Sequence, residues 1–222
     1  MKGFFQDMLV ALKGWSKKMI GVLDYGIGNI GSILNMLQKV GAQARAVRTA
    51  AEVEACDKLI LPGVGAFDTG MALLERSGMR KALDRAVAQG KPLLGICLGM
   101  QMLGRHSEEG VAEGLCYIPF DLKRFALGGY PELKTPHMGW DYVTIFQPDA
   151  PLMQGLEAEP RFYFVHSYYA VCDDPAHALM SCEYGEPFVA AVRRQNVWGT
   201  QFHPEKSHRF GMRLMQNFAR EC

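Results

Sequence analysis

Cys97 stands midway between two glycines in the stretch Gly95-Ile-Cys97-Leu-Gly99. A nucleophile with glycine two residues to either side is the pattern of an elbow, a sharp strand-to-helix turn that only small neighbours permit. Such a turn lifts the thiol off a sheet and aims a helix N-terminus at it, which favours the nucleophilic thiolate. The same glycines also suit a buried cysteine at a strand end, so the elbow alone leaves both readings open. A candidate base lies far along the chain, in Trp198-Gly-Thr-Gln-Phe-His203-Pro-Glu205. Side chains at i and i+2 of an extended segment share a face, so His203 and Glu205 are expected to meet, with Pro204 holding the link extended. A carboxylate on one imidazole nitrogen fixes the tautomer and leaves the other nitrogen for the thiol proton. Cysteine, histidine and glutamate would then form a nucleophile, a base and its orienter. A third stretch, Pro62-Gly63-Val64-Gly65, could turn backbone N–H groups toward the thiol. Together with the N–H of Leu98 it would hold an oxyanion, although a plain strand-ending turn also accounts for it.

These stretches serve one site only if several strand ends converge. The first half of the chain predicts that convergence. Met19–Asp24, Ala42–Val47, Lys58–Pro62 and Pro92–Ile96 read as short apolar strands. Helical patterns fall between them at Asn29–Val40, Thr69–Leu74 and Met79–Ala88, and another follows Cys97. Strands alternating with helices specify an α/β fold with a doubly wound, mostly parallel sheet, whose ligands bind outside the carboxyl ends of the strands. From Tyr117 onward the pattern is strand after strand: Tyr142–Phe146, Arg161–Ala170, Ala178–Glu183, Phe188–Arg193 and Val197–Phe202. These are expected as antiparallel additions in the C-terminal half, closed by a helix over Phe210–Arg220.

Composition narrows the function classes. The chain has 222 residues, 49% of them hydrophobic, and a formal net charge of +1. That suffices for a full core and gives no electrostatic footprint for nucleic acid or a membrane surface. No apolar run reaches membrane-spanning length. Cysteines 56, 97, 116, 172, 182 and 222 form no C-x-x-C pair, which points to reduced thiols in a cytoplasmic enzyme and no metal site. The glycine run Gly26-Ile-Gly28-Asn-Ile-Gly31 matches a dinucleotide fingerprint, with Arg48 closing the next strand. A tight strand-to-helix turn explains the glycines without a ligand, and nothing else in the chain looks like a hydride-transfer site; no cofactor is expected. Residues 1–18 are set apart as an extension of unknown role, with apolar residues at helical spacing but no signal-peptide pattern. Residues 19–222 are expected to be one domain.

Taken together, Pro-Gly-Val-Gly at 62–65, Gly-Ile-Cys-Leu-Gly-Met-Gln at 95–101, Ser-Glu-Glu at 107–109, Pro-His-Met-Gly-Trp at 136–140, Tyr-Phe-Val-His-Ser-Tyr at 163–168 and Gln-Phe-His-Pro-Glu-Lys at 201–206 resemble the class I glutamine amidotransferases. The resemblance runs from Met19 to the C-terminus. It implies a flavodoxin-like glutaminase fold and a Cys97–His203–Glu205 triad that hydrolyses L-glutamine through a thioester. It further implies an oxyanion strand at Gly63, Val64 and Gly65 with Leu98, and glutamine held by Gln101, Glu109 and Ser167. Glu109 is chemically apt, since a substrate ammonium needs an anionic acceptor. Members of this kind pass ammonia to a separate (β/α)8-barrel cyclase subunit in a heterodimer, and the docking positions match Asn29, Trp140 and Lys206.

One position departs from the pattern. Asp141 stands where the family usually has Asn after His-Met-Gly-Trp, adding a charge and removing a donor. The ammonia acceptor therefore stays open between the cyclase and another synthase, for instance one acting on cell-surface sugars. A non-catalytic regulatory subunit would not need the intact Cys97, His203 and Glu205.

Overall fold

The structure, a computed structural model, describes residues 18–222; apart from Lys18, the N-terminal extension lies outside the described residues. Five strands form the parallel part of the sheet: β1 (Met19–Leu23), β2 (Gln43–Val47), β3 (Lys58–Gly63), β4 (Leu93–Cys97) and β11 (Val197–Thr200), in the order β2-β1-β3-β4-β11. This is the flavodoxin-like order, with the strand ends that carry ligands at one edge of the sheet. The middle strands are apolar apart from Lys58 at the start of β3, because both faces are covered. Ile20, Val22, Ile60, Leu94 and Ile96 pack on one side against α1 (Ile30–Lys39) and the C-terminal α6 (His208–Arg220). Leu59, Leu61 and Leu93 pack on the other against α3 (Phe67–Arg76) and α4 (Arg80–Ala88). A short helix, α2 (Ala50–Glu54), carries a capping box between Thr49 and Glu52; its T-x-x-E signature stands in the sequence, but the helix is too short to show a periodic pattern.

The remaining strands are antiparallel: β5 (Phe120–Arg124), β6 (His137–Ile145), β7 (Arg161–His166), β8 (Tyr168–Cys172), β9 (Ala178–Tyr184) and β10 (Glu186–Arg194). Two expectations need correction. The span Arg161–Ala170 is two strands, broken at Ser167, because β8 leaves the β6–β7 ladder to pair with β5. The span from Val197 is not an antiparallel addition at its inner edge: β11 runs antiparallel to β10 but parallel to β4. That placement puts the segment leading to His203 directly beside the strand that ends at Cys97.

The dinucleotide-like glycines form the turn into α1. Gly26 and Gly28 adopt φ of +101° and +104°, Asn29 caps the helix by accepting from the Ser32 N–H at 3.3 Å, and Arg48 is paired with Asp24 at 2.7 Å. A buried lysine closes the opposite end of the fold. Lys58, with no exposed surface, donates to the carbonyls of Phe218 and Ala219 at 2.9 Å each, satisfying acceptors that the last turn of α6 cannot.

The elbow after β4 depends on close backbone approach. A Cβ added at Gly99 would lie 1.8 Å from the Leu61 carbonyl oxygen, and one at Gly95 would lie 2.6 Å from the Gly99 carbonyl oxygen. Neither neighbour is a flexible side-chain end, so neither can yield. Replacing Gly99 by Ala is expected to destabilise the fold by about 3 kcal/mol or more. A thermal midpoint within a degree or two of the parent would show that the elbow tolerates a side chain.

Candidate active site

Cys97 is the last residue of β4 and the first to leave the sheet. Its φ and ψ are 55° and −112°, a backbone state that a residue with a Cβ enters only under constraint. The chain turns at once into the one-turn helix α5 (Leu98–Gln101). Gly63, the end of β3, is the register partner of Cys97, and Gly65 beyond it has φ of +96°. On the other flank β11 ends at Thr200, paired one residue short of Cys97. Three neighbouring parallel strands thus deliver the glycine turn, the thiol and the histidine segment to one rim.

His203 is 2% exposed. Its Nδ1 meets Glu205 Oε1 at 2.7 Å, and the Glu205 side chain is 1% exposed. The pair meets by a route other than the extended link expected from the sequence: Pro204 opens a 3₁₀ turn, Pro204–Lys206, that brings residue i+2 back over the ring. Ser207 locks this turn. Its hydroxyl donates to the His203 carbonyl at 2.6 Å and accepts from the Tyr163 N–H at 3.0 Å, while the His203 N–H donates to the Tyr163 carbonyl at 2.9 Å. The other ring nitrogen, Nε2, has no partner at hydrogen-bonding distance among the described residues, yet the Cys97 thiol is near enough to act on the ring's titration. A candidate nucleophile and base need not be in hydrogen-bond contact in a substrate-free site. Burial works to lower the imidazole pKa, but Cys97 and Glu205 on either side outweigh it and raise His203 to about 9. The ring therefore holds a proton at neutral pH.

A cleft of about 240 Å³ opens over the thiol, lined by Val64, Gly65, Cys97, Leu98, Gln101, Glu109, Ser167 and His203 among the residues singled out from the sequence. Gly63 and Glu205 lie behind that lining, under the turn and behind the imidazole. Glu109 accepts from the N–H of Phe67 at the start of α3 at 2.8 Å, which leaves its second oxygen unclaimed by that bond. The Gln101 amide donates to the Tyr168 carbonyl at 3.2 Å and to Gln201 Oε1 at 3.1 Å. The cleft also takes Pro136, Val165, His166 and Tyr168, to which sequence reasoning assigns no role. All fall inside the quoted motifs, and Val165, His166 and Tyr168 flank the break at Ser167. Gln201, fully buried, is likewise unassigned by sequence; its amide lies 3.9 Å from the Cys97 sulfur. Tyr25 is missed for want of any local signal. Its hydroxyl donates to the Pro62 carbonyl at 2.6 Å, pinning the peptide that precedes the glycine turn.

The three expected docking residues lie outside the cleft. Trp140 is 37% exposed and stacks on His208 with ring centroids 5.1 Å apart. Lys206 Nζ sits 5.4 Å from the ring centroid of Tyr163, the cross-strand neighbour of Trp140. These two therefore share a face, flanked on β6 by exposed Met138 and Tyr142. Asn29 spends its side-chain oxygen on the cap of α1, and α1 packs on the 3₁₀ turn that carries Lys206.

The chain is 53% identical over 201 residues to imidazole glycerol phosphate synthase subunit HisH 2 of Pseudomonas aeruginosa, across 90% of this chain and 98% of that one. It is 48% identical over 205 residues to imidazole glycerol phosphate synthase subunit HisH 2 of Methanococcus maripaludis, across 92% of this chain and all of that one. Among solved structures, PurLQS from Thermotoga maritima superposes with a TM-score of 0.72 at 20% identity, over 91% of this chain and 98% of that chain. A glutamine amidotransferase from Thermotoga maritima gives 0.62 at 15% identity, over 91% and 83%; at these identities the likeness concerns the fold. The profile of the family described as "Glutamine amidotransferase class-I" matches residues 21–222, so the elbow, the rim and the buried His–Glu pair lie within one continuous match, and the chain belongs to the class-I glutamine amidotransferase family.

Proposed function

We propose that this chain is the glutaminase subunit of an imidazole glycerol phosphate synthase, working in the cytoplasm on the route to histidine. The observation that carries the reading is the meeting of a left-handed Cys97 and a protonated, Glu205-held His203 at the mouth of one cleft. Identity near one half with proteins named as subunits of that synthase supports the choice of pathway. The unpaired state of all six cysteines suits a reducing compartment.

In the proposed mechanism L-glutamine enters with its ammonium toward Glu109 and its side-chain amide over Cys97. Gln101 and Ser167 hold its polar groups from α5 and from the break between β7 and β8. The Cys97 sulfur attacks the amide carbon while His203 carries the proton. Charge building on the carbonyl oxygen is met by backbone N–H groups of Leu98 and of the Gly63–Val64–Gly65 turn. His203 then gives its proton to the leaving nitrogen, ammonia departs, and Cys97 is left as a thioester. Water deprotonated by His203 attacks next, and glutamate leaves. Glu205 keeps the imidazole oriented in both halves.

Ammonia loses its nucleophilicity once protonated by bulk water, so it must reach its acceptor under cover. We assign that role to a separate (β/α)8-barrel cyclase subunit, docked as a heterodimer over the face of Trp140 and Lys206, with the Asn29 end of α1 at its margin. A paralogous synthase partner is the competing reading, and Asp141 on the same strand as Trp140 is the observation in its favour.

Replacing Cys97 by Ala should lower glutamine-dependent synthesis in the complex by roughly 10⁴-fold or more and leave synthesis from free ammonium salts intact. Persistent turnover of glutamine in that variant would remove Cys97 from the nucleophile's role. With His203 raised to about 9, proton donation to the leaving nitrogen is available below that pH and lost above it. The glutaminase rate should fall on an alkaline limb near pH 9, and Glu205→Gln, which deletes a charge that favours the imidazolium, should move the limb to lower pH. An unmoved limb would show that Glu205 does not set the proton affinity of His203. Lys206→Ala should weaken binding of the cyclase in a titration; an unchanged titration and unchanged activation would take Lys206 out of the interface.

A further inference from the structure

A second buried hydrogen-bonded chain ends in the same cleft. Asp141 Oδ2 meets His137 Nε2 at 2.6 Å, His137 Nδ1 meets His166 Nε2 at 3.1 Å, and His166 Nδ1 meets the Tyr168 carbonyl at 2.8 Å. That carbonyl is also the acceptor for Gln101. His137 is 1% exposed, whereas the Asp141 side chain is 41% exposed, so the chain is buried in its middle, with Asp141 open to solvent at one end and His166 and Tyr168 on the cleft at the other.

The donors can be counted. A carbonyl oxygen only accepts, so His166 Nδ1 must carry a hydrogen. Burial, as the main cause, holds His166 down to about 3, so that ring is neutral and its Nε2 is an acceptor. His137 must then donate to it through Nδ1–H. The remaining nitrogen of His137, Nε2, faces a carboxylate oxygen at 2.6 Å, and two lone pairs do not approach so closely. A second proton has to lie in that contact. An asparagine at position 141 would present an N–H instead and need no such proton.

Resting on the glutaminase reading, we infer that Asp141 is a positioning residue for the glutamine cleft: the proton held between Asp141 and His137 fixes His166, and through the Tyr168 carbonyl fixes Gln101. The chain is intact only while that proton stays. Burial, the larger cause, holds the His137 imidazole below its ordinary range and Asp141 only partly opposes this, so the proton leaves on the acid side of neutrality. The other titratable groups facing the pair are His166 from β7, Tyr184 from β9, stacked on the His137 ring at 4.1 Å, and Cys182, also on β9, beside Asp141. Phe164, Phe188 and Phe125 close the remaining sides of the ring. As pH rises and the proton leaves, Nε2 and the carboxylate repel, His137 loses its place, and the acceptor that holds Gln101 is freed to shift.

The test compares the parent and Asp141→Asn in complex with saturating cyclase partner, reading the KM for glutamine across about pH 4.5 to about 7.5, the histidine interval moved down with His137. The parent KM should rise with pH by roughly two- to tenfold, the worth of one hydrogen bond, while Asp141→Asn should give a flat profile near the parent's low-pH value. Parallel profiles would overturn the proposal. Nitrogen-15 NMR of histidine-labelled protein supplies a readout independent of turnover. His137 should show both ring nitrogens protonated at the acid end in the parent and a single protonated nitrogen throughout in Asp141→Asn; identical signatures would also overturn it. Absence of any glutamine hydrolysis with the partner would instead sink the glutaminase reading, and the NMR comparison would still decide whether the chain holds its proton.

Discussion

A single backbone state organises the molecule: Cys97 at φ 55° and ψ −112°. Holding a residue with a Cβ there costs on the order of 1–3 kcal/mol, so the surroundings must enforce it. They do so from both sides. The parallel ladder continues through Gly63↔Cys97 on β3 and through Ile96↔Thr200 on β11, so the strand cannot relax before the elbow. After it, α5 is pressed so close to β3 that only hydrogen fits at Gly99. If either clamp were released, the thiol would swing back toward the pleat, and the cleft would lose its reactive atom. A turn with no room for a side chain at Gly99 is therefore also the turn that carries the proposed nucleophile.

That constraint also explains which parts of the site are readable from the residues alone. The elbow is local: glycine, nucleophile and glycine lie within five residues, and their spacing states the geometry. The His203–Glu205 pairing is nearly as local, although its cause is a 3₁₀ turn at Pro204 rather than an extended link. The parallel core is legible because its strands are buried on both faces and appear as short apolar runs between amphipathic helices. What escapes is set by distant partners. Nothing near Val197 says that one edge of β11 will pair parallel with β4 and the other antiparallel with β10. Nothing at Ser167 says that β8 will abandon β6 and β7 for β5. Tyr25 and Gln201 act across 37 and 104 residues of chain, respectively, on Pro62 and Cys97, a separation to which local pattern is blind.

The antiparallel half has a different job from the parallel one. Along β7, Phe162, Phe164 and His166 are buried while Arg161, Tyr163 and Val165 are less so, and β6 alternates in step, with Met138, Trp140 and Tyr142 outward. The inner set builds an aromatic layer in which Phe162 stacks on Phe202 at 3.9 Å, just before His203. The outer set supplies the exposed apolar face. One pair of strands thus supports the segment of His203 from within and presents a surface from without, and its end, at Val165 to Tyr168, walls the cleft.

A polar chain inside such an aromatic layer needs a reason, since an apolar replacement of the same shape is often as stable. Buried polar groups are costly when half-satisfied, and they fix one arrangement when every donor has an acceptor. Here the contacts from Asp141 to the Tyr168 carbonyl are all satisfied only when the chain holds one proton more than a carboxylate and two neutral rings carry, so the layer has a polar alignment as well as a defined volume. Hydrophobic packing alone would let β7 slide or tilt by fractions of an ångström at little cost. In the proposed mechanism the glutamine side chain has to meet a sulfur, an oxyanion turn and a proton donor at once, and displacements of that order are what catalysis cannot absorb. The histidines answer a need for precision in a wall made of rings.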